Sequence, residues 1–242
     1  MTIFFIIGML TGYLLSVVGN KISGIIEDFY FFSNVSYIKE ILLEFTLFKY
    51  FLKINKSDFN TYSLKTHIFH SLIIGFTFAV EYYYYSFFHF EFYKLILVLF
   101  AFSILYIGII TDIRTQLIPD AFILIPSIVL IYINFPDNID NIKYFFIIYF
   151  SSYLAYFIYI KTNKILIGVQ DIKIYALSIL LFGIAPINEI LFLSSTLALI
   201  FFIYRYIKYK TQTGHFGFFI YIALVIYPLF EIFGFDYFKN II

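Results

Sequence analysis

Two aspartates, Asp112 and Asp171, are the residues of this chain whose type and setting could do chemistry. Each stands where a very apolar stretch meets a short polar one, in the segments TDIRTQLIPD and GVQDIK. A charge at such an edge is costly enough to need a reason. Two carboxyl groups at close range share a proton, and such a pair can act as general base on water and general acid on a carbonyl oxygen. If the two side chains meet, they predict hydrolysis of a peptide bond.

The composition is that of an integral membrane protein. Of the 242 residues, 62% are hydrophobic and only 13% are charged, which lies far outside the range of soluble domains. The absence of cysteine excludes disulfides, thiol nucleophiles and thiolate zinc sites. His67 and His70 stand three residues apart and could share a helix face, but no third ligand is evident. We therefore expect no metal site.

Apolar segments organise the rest of the chain. A helix that crosses a bilayer needs roughly 17 to 25 mostly apolar residues. Between residues 19 and 66 lies the one sizeable extramembrane stretch, whose apolar residues recur at helical spacing and predict an amphipathic helix on the membrane surface. The sequence predicts an all-α, polytopic membrane helix bundle of about eight transmembrane helices, at residues 2–18, 67–84, 94–111, 121–136, 143–160, 174–187, 189–204 and 216–234.

The basic residues predict which way these helices run. Thirteen of the 16 Lys and Arg residues fall in the segments 19–66, 112–120, 161–173 and 205–215. Such segments stay in the cytosol, which places the amino terminus outside. Two predicted crossings separate Asp112 from Asp171, and because two is even, both aspartates reach the cytosolic side. The topology thus predicts that they converge.

The residues near Asp112 have structural explanations as well. Pro119, seven residues later, is expected to end a short re-entrant or interfacial turn. Asp120 then stands at the N-cap of the fourth span, where aspartate is favoured. Arg114 fits an interfacial anchor and could also orient the acids or the substrate. Glu81, near the external end of the second span, is interpreted as an interfacial residue.

The same holds near Asp171. Lys173 is expected to be a second interfacial anchor, with a secondary role in orienting the acids or the substrate. In the purely structural alternative, Asp112 pairs with Arg114 and Asp171 pairs with Lys173, and each pair simply ends a helix. Both pairs share a face and a depth, which favours the catalytic interpretation.

At these residues the chain resembles the bacterial type IV prepilin peptidases, membrane aspartyl proteases of the GxGD class. Their first signature is an aspartate followed seven residues later by proline and a polar residue, and it matches Asp112, Pro119 and Asp120. The resemblance extends to the first helix, where GYLLSVVGNKI is similar to the family's pattern, and to the last helix, which opens with TGHFGFF.

The second signature, Gly-x-Gly-Asp-x-Lys, appears as Gly168, Asp171 and Lys173 in the same spacing. Gln170 stands where the family has its second glycine. The family's cytosolic loop usually carries four cysteines for zinc, which this chain lacks. At position 170, glutamine in place of glycine adds a bulky side chain with an amide, whereas glycine would let two backbones approach closely.

The resemblance implies a division of the chain and an activity. It implies a first transmembrane helix at 1–18, a cytosolic loop at 19–66 without the zinc cysteines, and a membrane aspartyl peptidase core at 67–242. Asp112 and Asp171 are then catalytic. The substrate is a type IV prepilin or pseudopilin with a short basic leader, cut at the cytosolic face of the bacterial plasma membrane.

The implied cofactors and partners are few. Cleavage needs no cofactor, and S-adenosylmethionine is needed only if the family's N-methylation of the mature pilin is retained. Membrane lipids are the other expected partner, with no nucleic acid and no metal. Two alternatives stay open: an intramembrane protease like the signal peptide peptidases, and a non-catalytic transporter or pilus-assembly scaffold in which the acids are ion-relay or structural groups.

Overall fold

The computed structural model describes residues 1–32, 64–89, 91–115, 118–162, 168–209 and 216–233. Within these ranges the chain is helical and contains no strand, which confirms the all-α prediction. The helices are α1 (Thr2–Phe32), α2 (Leu64–Phe87), α3 (Phe92–Thr115), α4 (Ala121–Asn134), α5 (Ile139–Thr162), α6 (Val169–Phe182), α7 (Ile187–Tyr209) and α8 (Phe216–Ile232).

Among the described residues, three segments are long and apolar enough to cross a membrane: Thr2–Ile26, Phe92–Thr115 and Ile187–Lys208. Ala121–Asn134 and Phe216–Ile232 are shorter apolar helices. A helix satisfies its own backbone hydrogen bonds, which lipid cannot do. The fold class is therefore that of a polytopic helical membrane protein.

Each predicted span overlaps one of the eight helices, but the first ends later than expected. The predicted span ends at residue 18, before the first charged residue, Lys21, whereas α1 continues to Phe32. No proline follows residue 18 in this helix, and a single lysine with a long apolar stem does not end a helix. The amphipathic helix predicted after α1 falls in residues 33–63, outside the described residues.

The first of two compact units covers Met1–Ile125 and contains α1, α2 and α3. Gly12 lets α1 approach the α2 backbone closely, because a Cβ there would lie 2.8 Å from the His70 carbonyl oxygen. Small residues allow such contacts between membrane helices. A hydrogen bond joins Ser16 of α1 to His67 of α2, and His70 Nδ1 lies 2.8 Å from the Tyr106 hydroxyl of α3. The two histidines that were predicted to share a helix face, His67 and His70, thus each bond to a neighbouring helix.

Glu81 was predicted to be interfacial, and this prediction is wrong. Its side chain is only 1% exposed. Phe4 of α1 stacks on Tyr82 with ring centroids 4.3 Å apart and also meets Phe92 of α3 edge-on. The two neighbouring helices therefore cover this end of α2, which no local pattern around Glu81 indicates.

The second unit covers Pro126–Ile242, and α6 is its most buried helix. All residues from Lys173 to Leu180 are buried. Asn134 Nδ2 donates to the Leu180 carbonyl oxygen at 2.8 Å, and the hydroxyls of Tyr175 and Ser194 bond α6 to α7. These bonds fix α6 among its neighbours and so fix the position of its first turn.

Candidate active site

Asp112 lies in the last turn of α3, where the buried part of that helix ends. Every residue from Ala101 to Thr111 is buried, and the Thr111 hydroxyl donates to the Gly108 carbonyl oxygen at 2.6 Å. Asp112 is partly exposed, and Arg114 is exposed. The aspartate is therefore placed at the edge of a buried apolar helix, as the sequence predicts.

The chain turns back on itself after α3. Ile118 is 1% exposed and packs against Gly108, where a Cβ would lie 2.9 Å from Ile118 Cγ2. Pro119 follows at the surface of this turn, partly exposed. The Asp120 carbonyl oxygen accepts a hydrogen bond from the Leu124 amide at 2.8 Å. Asp120 thus occupies the N-cap position of α4, as predicted.

Asp171 lies in the first turn of α6, with Gly168 at the N-cap. A carboxylate is favoured there by the positive end of the helix dipole. A Cβ on Gly168 would lie 2.5 Å from Asp171 Oδ2. Since Gly168 has φ −61° and ψ 128°, a conformation open to any residue, glycine is required here for space and not for backbone freedom. The Asp171 carboxylate folds over the glycine, which gives the first glycine of the signature a physical reason.

Gln170 adds a second polar group beside Asp171. Its Oε1 atom is buried and has no hydrogen-bond partner in the described part of the chain. Buried acceptors are nearly always paired in native proteins. Gln170, at the position of the signature's second glycine, therefore carries an unsatisfied oxygen one residue before Asp171.

Lys173 is buried, with 2% of its surface exposed, so the prediction that it anchors the helix at the membrane surface is wrong. Its Nζ lies 4.5 Å from the ring centroid of Tyr153 and 5.5 Å from that of Tyr149. An ammonium over aromatic faces is held by cation–π attraction. No role for Tyr149 and Tyr153 was predicted from the sequence. Their spacing of four residues, about one turn of α5, is the feature of the sequence that could have indicated it.

We expect Tyr153→Leu to lower the free energy of unfolding by about 1 to 2 kcal/mol, because the buried Lys173 ammonium loses a ring that compensates its charge. Lys173→Met should reduce this effect, giving a coupling of about 1 kcal/mol in a double-mutant cycle measured by unfolding in detergent. Tyr144→Leu, on the exposed side of the same helix, is the control and should change stability by no more than about 0.5 kcal/mol. Additive effects of the Tyr153 and Lys173 substitutions would contradict the cation–π assignment.

The two aspartates belong to different units, Asp112 to the first and Asp171 to the second. Each lies at the end of an apolar helix, and their convergence stays a prediction. No group of three or more metal-ligating side chains occurs within the described ranges.

Comparison with protein families gives a match to the type IV leader peptidase family over residues 95–203. This segment contains both aspartates and every residue of the two signatures. Comparison with curated proteins and with solved structures found no match. The match covers less than half of the chain and supports a peptidase similar to the type IV prepilin peptidases.

Proposed function

We propose that this protein is an aspartic endopeptidase that removes the basic leader of a type IV prepilin or pseudopilin at the cytosolic membrane face. The observation that carries the proposal is the position of Asp112 and Asp171, each at the edge of a buried apolar helix within the segment that matches the leader peptidases. Such edges combine low dielectric with access to water, which is what a proton-sharing pair of acids needs.

The proposed reaction uses one ionised and one protonated carboxyl group. The carboxylate takes a proton from water as the oxygen attacks the scissile carbonyl carbon, while the carboxylic acid protonates the carbonyl oxygen. Collapse of the tetrahedral diol breaks the C–N bond as a proton passes to the amide nitrogen. The side chains can exchange these roles, so either aspartate can serve as the base. The cleavage itself uses no metal or cofactor; N-methylation of the new amino terminus is a separate reaction that consumes S-adenosylmethionine.

The orientation in the membrane supports the choice of substrate. With 13 of the 16 Lys and Arg residues in the segments assigned to the cytosol, both aspartates face that side. The basic leader of a precursor would also be kept in the cytosol by the same rule, while its apolar stem enters the bilayer. The cleaved bond and the aspartates would then lie at one depth.

We expect the protein reconstituted in liposomes to cut a precursor that has a short basic leader ending in glycine, then phenylalanine, then a long apolar helix. Mass spectrometry of the products should show a single cut after the glycine. A cut inside the apolar helix would instead support the intramembrane protease alternative. A precursor that stays intact would support the transporter or scaffold and contradict the proposal.

A further inference from the structure

Asn20 is a buried carboxamide on α1 that the packing of the helices does not satisfy. Its side chain is 2% exposed, and neither Nδ2 nor Oδ1 has a hydrogen-bond partner among the described residues. A buried polar group left unpaired is costly, and native proteins rarely keep one without a reason. Both bonding atoms of this amide are thus buried and without a partner in the described part of the chain.

The contacts of α1 fix its register against α3. Near one end, the rings of Phe4 and Phe92 lie 6.5 Å apart. Farther along, Gly19 meets Ile110, where a Cβ would lie 2.7 Å from Ile110 Cγ2. Residue numbers rise in the same direction in both helices, so α1 and α3 run parallel.

This register brings Asn20 to the level of Asp112. Asn20 is one residue beyond Gly19, and Asp112 is two residues beyond Ile110. With a rise of about 1.5 Å per residue, the two side chains start from backbone positions well within one helical turn of each other along the axis. Asp112 is thus accompanied, on the neighbouring helix and at its own depth, by an amide with unused bonding capacity.

The chemistry of a carboxamide matches that of a peptide group. It offers N–H donors and a C=O acceptor, and can therefore form two hydrogen bonds with one peptide group of an extended chain. It is also neutral, so it does not compete with the acids for their shared proton. A peptidase must hold the substrate backbone in a fixed position relative to its acids.

We propose that Asn20 binds a peptide group of the precursor's backbone next to the cleaved bond, on the Asp112 side of the site. This inference rests on the proposed function. It assigns to α1 a direct part in substrate binding. The recognised feature is main chain rather than a side chain, so the contact serves any precursor whose backbone is extended at this point.

The variant Asn20→Leu tests the proposal, because leucine keeps the size of the side chain and removes its polar atoms. If the amide binds substrate, kcat/KM for the precursor falls about tenfold or more, as expected for lost hydrogen bonds, and the change lies mainly in KM. The unfolding temperature stays equal or rises, since an apolar replacement relieves an unsatisfied group. Asn20→Ala should show the same loss of activity.

Ser23→Ala is the matched control. Ser23 is buried one turn farther along the same helix, and its hydroxyl donates to the Gly19 carbonyl oxygen at 2.7 Å. Because that bond is internal to α1, its loss should leave cleavage kinetics unchanged.

Binding without cleavage separates this inference from the proposed function. The variant Asp112→Asn/Asp171→Asn in nanodiscs should bind intact precursor, and adding Asn20→Leu should raise Kd about tenfold. If the wild-type protein cuts precursor but both Asn20 variants cut and bind as well as it does, the inference is overturned. It is also overturned if both variants mainly lower the unfolding temperature. Failure of the wild-type protein to cut any precursor overturns the proposed function instead.

Discussion

We expect Asp112→Asn and Asp171→Asn each to abolish cleavage of a precursor, with kcat reduced by roughly 10³-fold or more. Asparagine keeps the shape of aspartate but cannot exchange a proton. In the proposed proton-sharing pair, the one carboxyl group that remains cannot serve as base and acid at the same time. The measurement is initial cleavage rate in liposomes that contain equal amounts of folded protein.

The double variant should be no slower than either single variant, because residues that act as a unit give non-additive losses. Asp120→Asn is the control within the same segment. Asp120 occupies the N-cap position of α4, and asparagine caps a helix as well as aspartate does. We expect its rate to stay within a few-fold of wild type. A single Asn variant at position 112 or 171 that retains wild-type rate would rule out the paired mechanism.

The transitions from apolar to polar sequence predicted the helices and the places of Asp112 and Asp171, because burial of a membrane helix depends mainly on its own composition. The predictions that proved wrong concern charged residues whose surroundings come from other helices. Glu81 is buried at the end of α2 where Phe4 of α1 stacks on Tyr82, and Lys173 is buried beside two tyrosines of α5. Neither neighbour can be inferred from the sequence next to the charge.

In the candidate site, too, the sequence marks some positions whose physical role only the packing reveals. The signature around Asp171 identifies Gly168 as important, but the sequence contains no information on what the missing side chain makes room for. The structure supplies it, since the Asp171 carboxylate occupies the space that a Cβ would need. Asn20 lies within the first-helix segment GYLLSVVGNKI, but nothing in that segment indicates that its amide is unsatisfied, which becomes visible only when α1 is packed against its neighbours.

Gly168→Ala should lower kcat about 100-fold while the protein remains folded. The added Cβ would lie 2.5 Å from Asp171 Oδ2, so the carboxylate must move. A displacement of about 1 Å at a reacting group can cost on the order of 10²-fold in rate. The backbone can stay as it is, because alanine readily adopts φ −61° and ψ 128°. Replacement of an N-cap glycine by alanine costs about 1 kcal/mol or less.

Gly24→Ala is the matched control, because among the described residues no atom outside the local backbone of α1 lies within 4 Å of the Cβ it would add. It should leave the rate unchanged and, as alanine is the better helix former, raise stability by up to about 1 kcal/mol. The two variants make the same chemical change, so a loss confined to Gly168→Ala isolates the position of the Asp171 carboxylate as its cause. The loss should appear in kcat with KM nearly constant, since a misplaced acid weakens the transition state and not the binding of the leader. Wild-type kcat in Gly168→Ala would mean that the carboxylate reacts from another position than the one over this glycine.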